Sequence, residues 1–250
     1  MRHAWLAGFA ALLLAAQAQA EEIRVLSGGA AQEAVLELAE AFKKKTGHEV
    51  KATFGPMGVI AGKLNAGEKA EILFMTGSAL DGVVRDSGKL MGERRPLGHV
   101  MIGAAVKEGT PLPDMRTVEE FKQALLKAKS IVYVDPATGA TSGTHFARML
   151  DRMGIAEQVK AKTHLKPGGY VVEMVAKGEA EIGIHQISEI LPVKGVKLVG
   201  PIPAEVNLVS TYIGVLVEGA SPAAKAFLDF AVSAEARKIV EHGGLAPGGG

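Results

Sequence analysis

The sequence predicts an α/β protein in which mostly parallel sheets are flanked by helices. Short apolar runs, such as residues 23–26, alternate with segments of helical periodicity, such as residues 35–42. Most of these apolar runs end in turns rich in glycine and hydroxyl side chains. Strands that alternate with helices in this way favour parallel sheets.

The first unit contains three strand–helix pairs. The strand at 23–26 precedes the helix at 35–42, whose end is predicted by three lysines at 43–45 and by Gly47. The other two pairs have their strands at 50–54 and 72–75 and their helical periodicity at 59–66 and 80–85.

A long apolar run at 98–106 marks a change of organisation, because glycine and proline interrupt the chain directly after it. Thr117 is predicted to begin the next helix, with Glu120 as its capping-box partner. The rest of this second unit is predicted as strands at 131–134, 182–186 and 196–199 and helices at 146–153 and 170–176.

The C-terminal part begins with a β-rich run at 208–217. A helix at 222–232 follows, with Ser221 as its cap and Pro222 at its first position, and a last helix covers 234–241. The predicted division of the chain is a signal at 1–20, lobe 1 at 21–101 plus 208–250, and lobe 2 at 103–203, with crossover strands near 98–106 and 204–212.

The N-terminal residues are typical of a secretory signal. Arg2 precedes an apolar stretch at 4–16, and Ala18, Gln19 and Ala20 form a small-x-small cleavage site. We therefore expect cleavage after Ala20 and a periplasmic location. The apolar stretch is short for a membrane span, so no direct membrane insertion is expected.

Composition excludes several classes of function. Loss of Arg2 with the signal leaves equal numbers of basic and acidic residues, so no nucleic-acid partner is expected. The chain has no cysteine, which excludes disulfides and thiolate chemistry. Its seven histidines show no metal-ligand spacing, and no P-loop or Gly-x-Ser-x-Gly motif occurs. No metal and no cofactor are expected.

The turns after the predicted strands are the candidate ligand site, because ligands of open α/β sheets bind beyond the carboxyl ends of the strands. Helix N-termini there offer free N–H groups, which bind anions without lysine or arginine. The predicted ligand-binding residues are Ser27, Gly28, Gly29, Met57, Gly58, Gly77, Ser78, Thr141, Ser142, Gly143, Thr144, His185 and Gln186.

If the protein is an enzyme, His185 and His145 are the candidates for proton transfer, since histidine titrates near neutral pH. Glu173 and Glu189 are expected to be solvated carboxylates on helix faces. Tyr212 is expected to pack in the core.

An ordered set of segments resembles the periplasmic molybdate-binding-protein-like solute receptors, which are type II substrate-binding proteins of ABC importers. The resemblance implies two α/β lobes with a ligand cleft between them, a small anionic ligand, an ABC permease as partner and a monomeric state. It covers nearly the whole chain after the signal. The segments that carry it are IRVLSGGA (23–30), FKKKTG (42–47), TFGPMG (53–58), LNAGE (64–68), DP (135–136), GEAEIGI (178–184), AFLDF (226–230) and GGLAP (243–247).

The ligand contacts expected from the resemblance are altered in this chain. The two family serines fall near Ala30 and at Met57 and Gly58, and the strand that usually ends in tyrosine ends here in His185 and Gln186. These changes favour a carboxylate ligand over a tetrahedral oxyanion.

Three functions stay open at this point. The first, which the sequence favours, is a receptor that closes on a small organic (poly)carboxylate and delivers it to an ABC-type importer. The second is a periplasmic isomerase that interconverts trans- and cis-aconitate, because the branch that this chain resembles includes an aconitate isomerase. The third is a molybdate or tungstate receptor.

Overall fold

The computed structural model describes residues 20–88 and 92–246. Residues 1–19, which hold most of the predicted signal, and residues 247–250 lie outside the described part. The described chain is an α/β protein, as the sequence predicts. Its first elements are β1 (Glu22–Gly28), α1 (Gln32–Thr46), β2 (Glu49–Gly55), α2 (Met57–Asn65), β3 (Ile72–Thr76), α3 (Gly77–Ser87) and β4 (Arg95–Lys107).

The later elements continue the alternation of helices and strands. They are α4 (Val118–Lys127), β5 (Ile131–Val134), α5 (Thr141–Arg152), α6 (Ala156–Lys160), β6 (Thr163–Lys166), α7 (Glu173–Ala176), β7 (Ile182–Gln186), α8 (Ile187–Ile190), β8 (Val196–Pro201), β9 (Val209–Leu216), α9 (Pro222–Ala231) and α10 (Arg237–His242). Short 3-10 helices lie at Gly29–Ala31 and Pro136–Thr138.

The strands follow the order β2-β1-β3-β9-β4-β7-β5-β6, and β8 pairs with β4. Strand β1 is parallel to β2 and β3, and β5 is parallel to β6 and β7. The long strand β4 joins the two parallel groups: residues 95–101 pair with β9, and residues 102–107 pair with β7 or β8, all antiparallel. The two sheets therefore share one continuous strand.

The buried side chains form a core on each side of this shared strand. In one core, residues between 23 and 100 pack with residues between 212 and 245, and the Phe42 and Phe227 rings meet edge to face with centroids 5.2 Å apart. In the other, the Tyr133 and Phe146 rings meet with centroids 4.8 Å apart. This packing is compatible with the predicted lobe boundaries, which stay a prediction.

Several predicted helix ends are confirmed. The Thr117 hydroxyl accepts the Glu120 N–H, and the Glu120 carboxylate accepts the Thr117 N–H. The Ser221 hydroxyl accepts the N–H of Ala224 at 3.1 Å. Gly47 ends α1 at φ +82, a conformation that glycine adopts without strain.

Several features of the second half differ from the sequence prediction, and the short helices α6 and α8 were not predicted. The helix predicted at 170–176 begins only at Glu173, because Gly168 and Gly169 have positive φ and form a turn before it. The edge strand β6 was not predicted, since three of its four side chains are polar and the strand is mostly exposed.

The two lobes touch where helix α2 meets the turn before α5. A Cβ at Gly58 would lie 2.6 Å from the carbonyl oxygen of Thr138, and a Cβ at Gly139 would lie 2.9 Å from the Cα of Gly58. A second contact brings Pro56 against Gly168. The absence of side chains on these glycines lets the lobes approach this closely.

We expect Gly58→Ala to shift the protein towards forms with the lobes apart, because the added methyl group meets the Thr138 carbonyl. Small-angle scattering should show a larger radius of gyration. Gly62→Ala, in the same helix with open space around its Cβ position, is the control. It should leave the radius unchanged and raise the free energy of unfolding by about 0.5–1 kcal/mol. Equal radii for the two variants would contradict the assigned lobe contact.

Candidate functional site

A cavity of about 450 Å³ lies between the lobes, at the carboxyl ends of β1, β2, β5 and β7. Residues from both sheets line it: Gly29, Ala30, Gln32, Phe54, Gly55, Pro56, Met57, Val134, Ala140, Thr141, Ser142, Lys166, Gly168, Gly169, Tyr170, Glu173, His185, Gln186, Glu189 and Tyr212. This is the position in which ligands bind to open α/β sheets.

Two helices begin at the wall of this cavity. Helix α2 begins at Met57 and α5 begins at Thr141, and the residues before them, Pro56 and Ala140, are extended. The first N–H groups of a helix have no partner within the helix and carry partial positive charge. The two helix starts, one from each lobe, therefore suit a negatively charged group.

Nine of the thirteen predicted ligand-binding residues line one or both of two cavities. Of these residues, the first cavity is lined by Gly29, Met57, Thr141, Ser142, His185 and Gln186. A second cavity of about 500 Å³, on the other side of the Gly58–Gly139 contact, is lined by Met57, Gly58, Ser78, Thr141 and Thr144. Contact of any of them with a ligand stays a prediction.

The other predicted residues, Ser27, Gly28, Gly77 and Gly143, line neither of these two cavities. The Ser27 hydroxyl is buried and donates to the Gly28 carbonyl at 3.0 Å. A Cβ at Gly143 would lie 2.1 Å from the Val134 carbonyl oxygen, so this glycine allows α5 to pack against β5.

His185 is buried at the end of β7, with 2% of its surface exposed. Its Nε2 lies 3.0 Å from the Gly169 carbonyl oxygen, and its Nδ1 lies 2.9 Å from the backbone nitrogen of Gln186. A carbonyl accepts and an N–H donates, so the ring carries its hydrogen on Nε2 and accepts on Nδ1. This arrangement fits a neutral imidazole.

Glu189 lies four residues after His185, in the short helix α8, and is also buried, with 8% of its surface exposed. Its Oε2 is 3.3 Å from Nδ1 of His185. Its Oε1 faces Gly29 of the other lobe, where a Cβ would lie only 2.5 Å away. The expectation that Glu189 is solvated was therefore wrong, because β1 and its following turn cover the carboxyl group.

Burial favours the uncharged form of both groups. It lowers the pKa of His185 to about 4 and raises the pKa of Glu189 to about 8. The distance alone would also allow an imidazolium–carboxylate ion pair. The Gln186 N–H aimed at Nδ1 opposes that ion pair, since a protonated Nδ1 cannot accept. A neutral pair, with Glu189 protonated and Nδ1 accepting the Gln186 N–H, is compatible with this contact.

Two tyrosines complete the cavity wall. Tyr212 is buried, as the sequence predicts, but its hydroxyl reaches the cavity and accepts the backbone N–H of Ala30, and burial raises its pKa. The Tyr170 hydroxyl donates to Glu33 and accepts from Gln32 at 3.0 Å. Tyr170 thus connects the turn before α7 to the start of α1 across the lobe contact.

The other proton-transfer candidate, His145, lines the second cavity together with Arg148. Its Nε2 lies 2.7 Å from the Val206 carbonyl oxygen. The structure therefore does not bring His145 and His185 into one cavity. Within residues 20–88 and 92–246, no cluster of three or more His, Asp or Glu side chains could hold a metal ion.

The model of a family described as bacterial extracellular solute-binding proteins matches residues 23–246. The chain belongs to this family. Among the described residues of this extracellular solute-binding protein, no helix is long and apolar enough to cross a membrane.

An aconitate isomerase from a Pseudomonas species is 36% identical over 243 residues, covering 94% of this chain and 91% of that protein. The molybdate-binding protein ModA of Azotobacter vinelandii is 25% identical, covering 92% and 91%. The solved structure of the periplasmic molybdate-binding protein of A. vinelandii aligns with a TM-score of 0.75 and 18% identity, covering 91% of this chain and 100% of that chain. The predicted resemblance and fold are confirmed.

The raised pKa of Glu189 predicts a loss of stability as the pH rises. The unfolded chain releases this proton near pH 4.5, whereas the folded chain holds it until about pH 8. His185 has the opposite effect at lower pH. Below about pH 6.5 its ring takes up a proton in the unfolded chain but stays neutral in the folded chain, so the free energy of unfolding falls as the pH is lowered. Of these two effects, that of Glu189 is the one that remains between pH 6.5 and 8.

We expect Glu189→Gln to remove a decline of about 1 kcal/mol per pH unit in the free energy of unfolding over this window. Urea unfolding at several pH values measures it. Glu173→Gln, at an exposed carboxyl of the same cavity rim, should keep the wild-type slope. If Glu189→Gln also kept that slope, the carboxyl would not be held in its acid form.

Proposed function

We propose that this protein binds a small polycarboxylate between its lobes and isomerises it by proton transfer, as an isomerase of the aconitate isomerase type. The observation that carries the proposal is the buried Glu189–His185 pair on the cavity wall. Acids whose pKa is raised towards neutral pH by burial are typical of general acid–base catalysts. The 36% identity to an aconitate isomerase over nearly the whole chain supports the same function.

The cavity offers separate contacts for several carboxyl groups. The starts of α2 and α5 present N–H groups from different lobes, and Thr141 and Ser142 at the second of them carry hydroxyls. Lys166 adds one cation. A ligand with more than one carboxyl group can use both the helix starts and Lys166.

The proposed reaction moves one proton along a three-carbon allylic unit. Once Glu189 has released its own proton to the solvent, its carboxylate removes a proton from the methylene carbon, and the electron pair of that C–H bond becomes the new carbon–carbon double bond. The electrons of the former double bond take up the proton, returned by Glu189, at the far carbon. No redox partner is needed, and Glu189 ends in its starting state.

His185 acts in this scheme as a positioning residue. Its Nε2–H is held by Gly169, so the ring cannot turn, and its Nδ1 lies 3.3 Å from the carboxyl oxygen of Glu189. The fixed neutral ring limits the position of the carboxyl group and places no charge beside it. His145 has no role in this scheme, because it lies in the second cavity.

A receptor for an ABC-type importer is the second candidate. Family membership and the molybdate-binding relatives favour it, and the lobe contacts suit closure on a ligand. In that function the same cavity would hold the polycarboxylate for delivery to a permease. A receptor for molybdate or tungstate would differ from both the isomerase and the polycarboxylate receptor in the ligand that it binds.

Export is part of the proposal. We place the protein in the periplasm, cleaved after Ala20 and acting as a monomer, because it belongs to a family of extracellular proteins and begins with a signal-like sequence. Mass spectrometry of the protein purified from a periplasmic fraction would test the cleavage position.

We expect purified wild-type protein to interconvert trans- and cis-aconitate, and Glu189→Gln to be slower by about 10²–10⁴-fold, the usual contribution of general acid–base catalysis. Glutamine matches the protonated acid in shape. The variant should therefore still bind tricarballylate, a saturated analogue that cannot isomerise. Chromatographic separation of the two isomers follows turnover, and calorimetry follows binding.

Glu173→Gln is the matched control, because it removes an exposed carboxyl at the rim of the same cavity and should keep wild-type turnover. Tight binding of tricarballylate without turnover by the wild type would favour the receptor over the isomerase. Thermal shifts with molybdate or tungstate, and none with polycarboxylates, would contradict both.

A further inference from the structure

The hydroxyl of Tyr212 is a polar group of the cavity wall that the proposed reaction scheme does not use. The residue lies on β9, and its side chain lines the cavity. Its oxygen accepts the Ala30 N–H, and within the described residues no carbonyl or carboxylate oxygen accepts its O–H. A buried tyrosine hydroxyl normally donates its proton to a partner. The expected acceptor is therefore a group on the ligand.

Two consecutive glycines make room for this hydroxyl and for the carboxyl group of Glu189. A Cβ at Gly28 would lie 2.8 Å from the Tyr212 hydroxyl oxygen, and a Cβ at Gly29 would lie 2.5 Å from Oε1 of Glu189. A side chain at either position would displace one of the two groups. The turn after β1 therefore packs against a phenol and a carboxyl group at adjacent residues of the cavity wall.

The Tyr212 hydroxyl also lies beside the start of α2. The same Cβ position at Gly28 would be 2.3 Å from the Cε of Met57, which is the first residue of that helix. The free N–H groups of a helix start suit a carboxylate. The phenol is thus close both to the proposed base, Glu189, and to a place that suits a carboxyl group of the ligand.

The proposed reaction develops charge that such a donor stabilises. Loss of the methylene proton leaves a carbanion that is adjacent to one carboxyl group and conjugated with another through the double bond. Negative charge therefore moves from carbon onto carboxyl oxygens in the transition state. A hydrogen bond to those oxygens strengthens as the charge grows, so it lowers the barrier more than it tightens binding. Burial raises the pKa of Tyr212, so the phenol stays protonated at neutral pH.

We propose that Tyr212 is a further catalytic residue, whose O–H donates to the ligand carboxylate that takes up negative charge when Glu189 removes the proton. The inference rests on the proposed function for the reaction, and it adds the group that stabilises the carbanion. Tyr212 forms and breaks no covalent bond. Its proton stays on the phenol oxygen, while the carbon-bound proton moves to Glu189 and back.

Tyr212→Phe tests the inference, because it removes the hydroxyl and keeps the ring. We expect kcat for the interconversion of trans- and cis-aconitate to fall by about 10²–10³-fold, the usual effect of losing one donor to a developing oxyanion. Tricarballylate develops no such charge, so the affinity for it should fall by less than about tenfold. Tyr133→Phe is the matched control, since Tyr133 lines neither cavity, and it should keep the wild-type kcat.

A second replacement separates donation to the ligand from the contact with Ala30, because Tyr212→Phe also removes the acceptor of the Ala30 N–H. Fluorine withdraws electrons from a phenol, so 3-fluorotyrosine at position 212 is a stronger donor and a weaker acceptor than tyrosine. We expect its kcat to equal or exceed the wild-type value. A lower kcat would assign the effect to the Ala30 contact and overturn the inference, and this protein gives the answer even where Tyr212→Phe does not fold.

Two results with Tyr212→Phe would overturn the inference and leave the proposed function standing. One is a wild-type kcat, which would show that the hydroxyl takes no part in the reaction. The other is an unchanged kcat with a loss confined to the affinity for tricarballylate, which would show that the hydroxyl only binds the ligand. A wild-type protein that does not interconvert the two aconitates would overturn both the inference and the proposed function.

Discussion

Removal of water from one carboxyl group, that of Glu189, is the constraint on which the chemistry of this cavity depends. Glu189 follows β7 in one lobe, and Gly29, which follows β1 in the other lobe, lies against its Oε1. Any side chain at position 29 would collide with this oxygen. The approach of the two lobes therefore excludes water from the carboxyl group, and burial raises its pKa to about 8. A change in the distance between the lobes at this contact is therefore expected to change the pKa of Glu189.

The proposed isomerase combines an anion-binding scaffold with groups suited to proton transfer. The starts of α2 and α5 form a backbone cradle for anions, which suits a solute-binding protein and does not depend on charged side chains. The end of β7 adds the two groups that the proposed isomerase uses: a neutral histidine fixed by Gly169 and a buried acid beside it. In the proposed function Glu189 exchanges a proton with the ligand.

Local signals in the sequence were sufficient for most of the fold. The Thr117–Glu120 capping box, the Ser221 cap and the glycine after α1 act through neighbouring residues, so their positions follow from the chain itself. The alternation of strands and helices also fixed the edge of the sheet at which the cavity lies. Six predicted residues line this cavity, including His185 and Gln186.

The buried carboxyl group of Glu189 could not be predicted from such local signals. Glu189 follows Ile187 and Ser188 in a helix of one turn, where an acid is normally solvated. It is buried because Gly29, distant in sequence, covers it. Ser27 failed to reach the cavity for a similar reason, since its hydroxyl turns to the Gly28 carbonyl inside the core. Packing between residues distant in sequence, rather than local sequence preference, determines the burial of Glu189 and the orientation of the Ser27 hydroxyl.

The charge state of His185 is the most direct measure of the neutral pair. Nuclear magnetic resonance of protein labelled with ¹⁵N-histidine distinguishes the two neutral tautomers from the imidazolium, and His185→Gln identifies the signal. A neutral ring with its hydrogen on Nε2 from pH 5 to 8 is the predicted result, since burial lowers the pKa of His185 to about 4. An imidazolium at pH 7 would mean that Glu189 is ionised beside it, and the neutral acid–histidine pair would not exist.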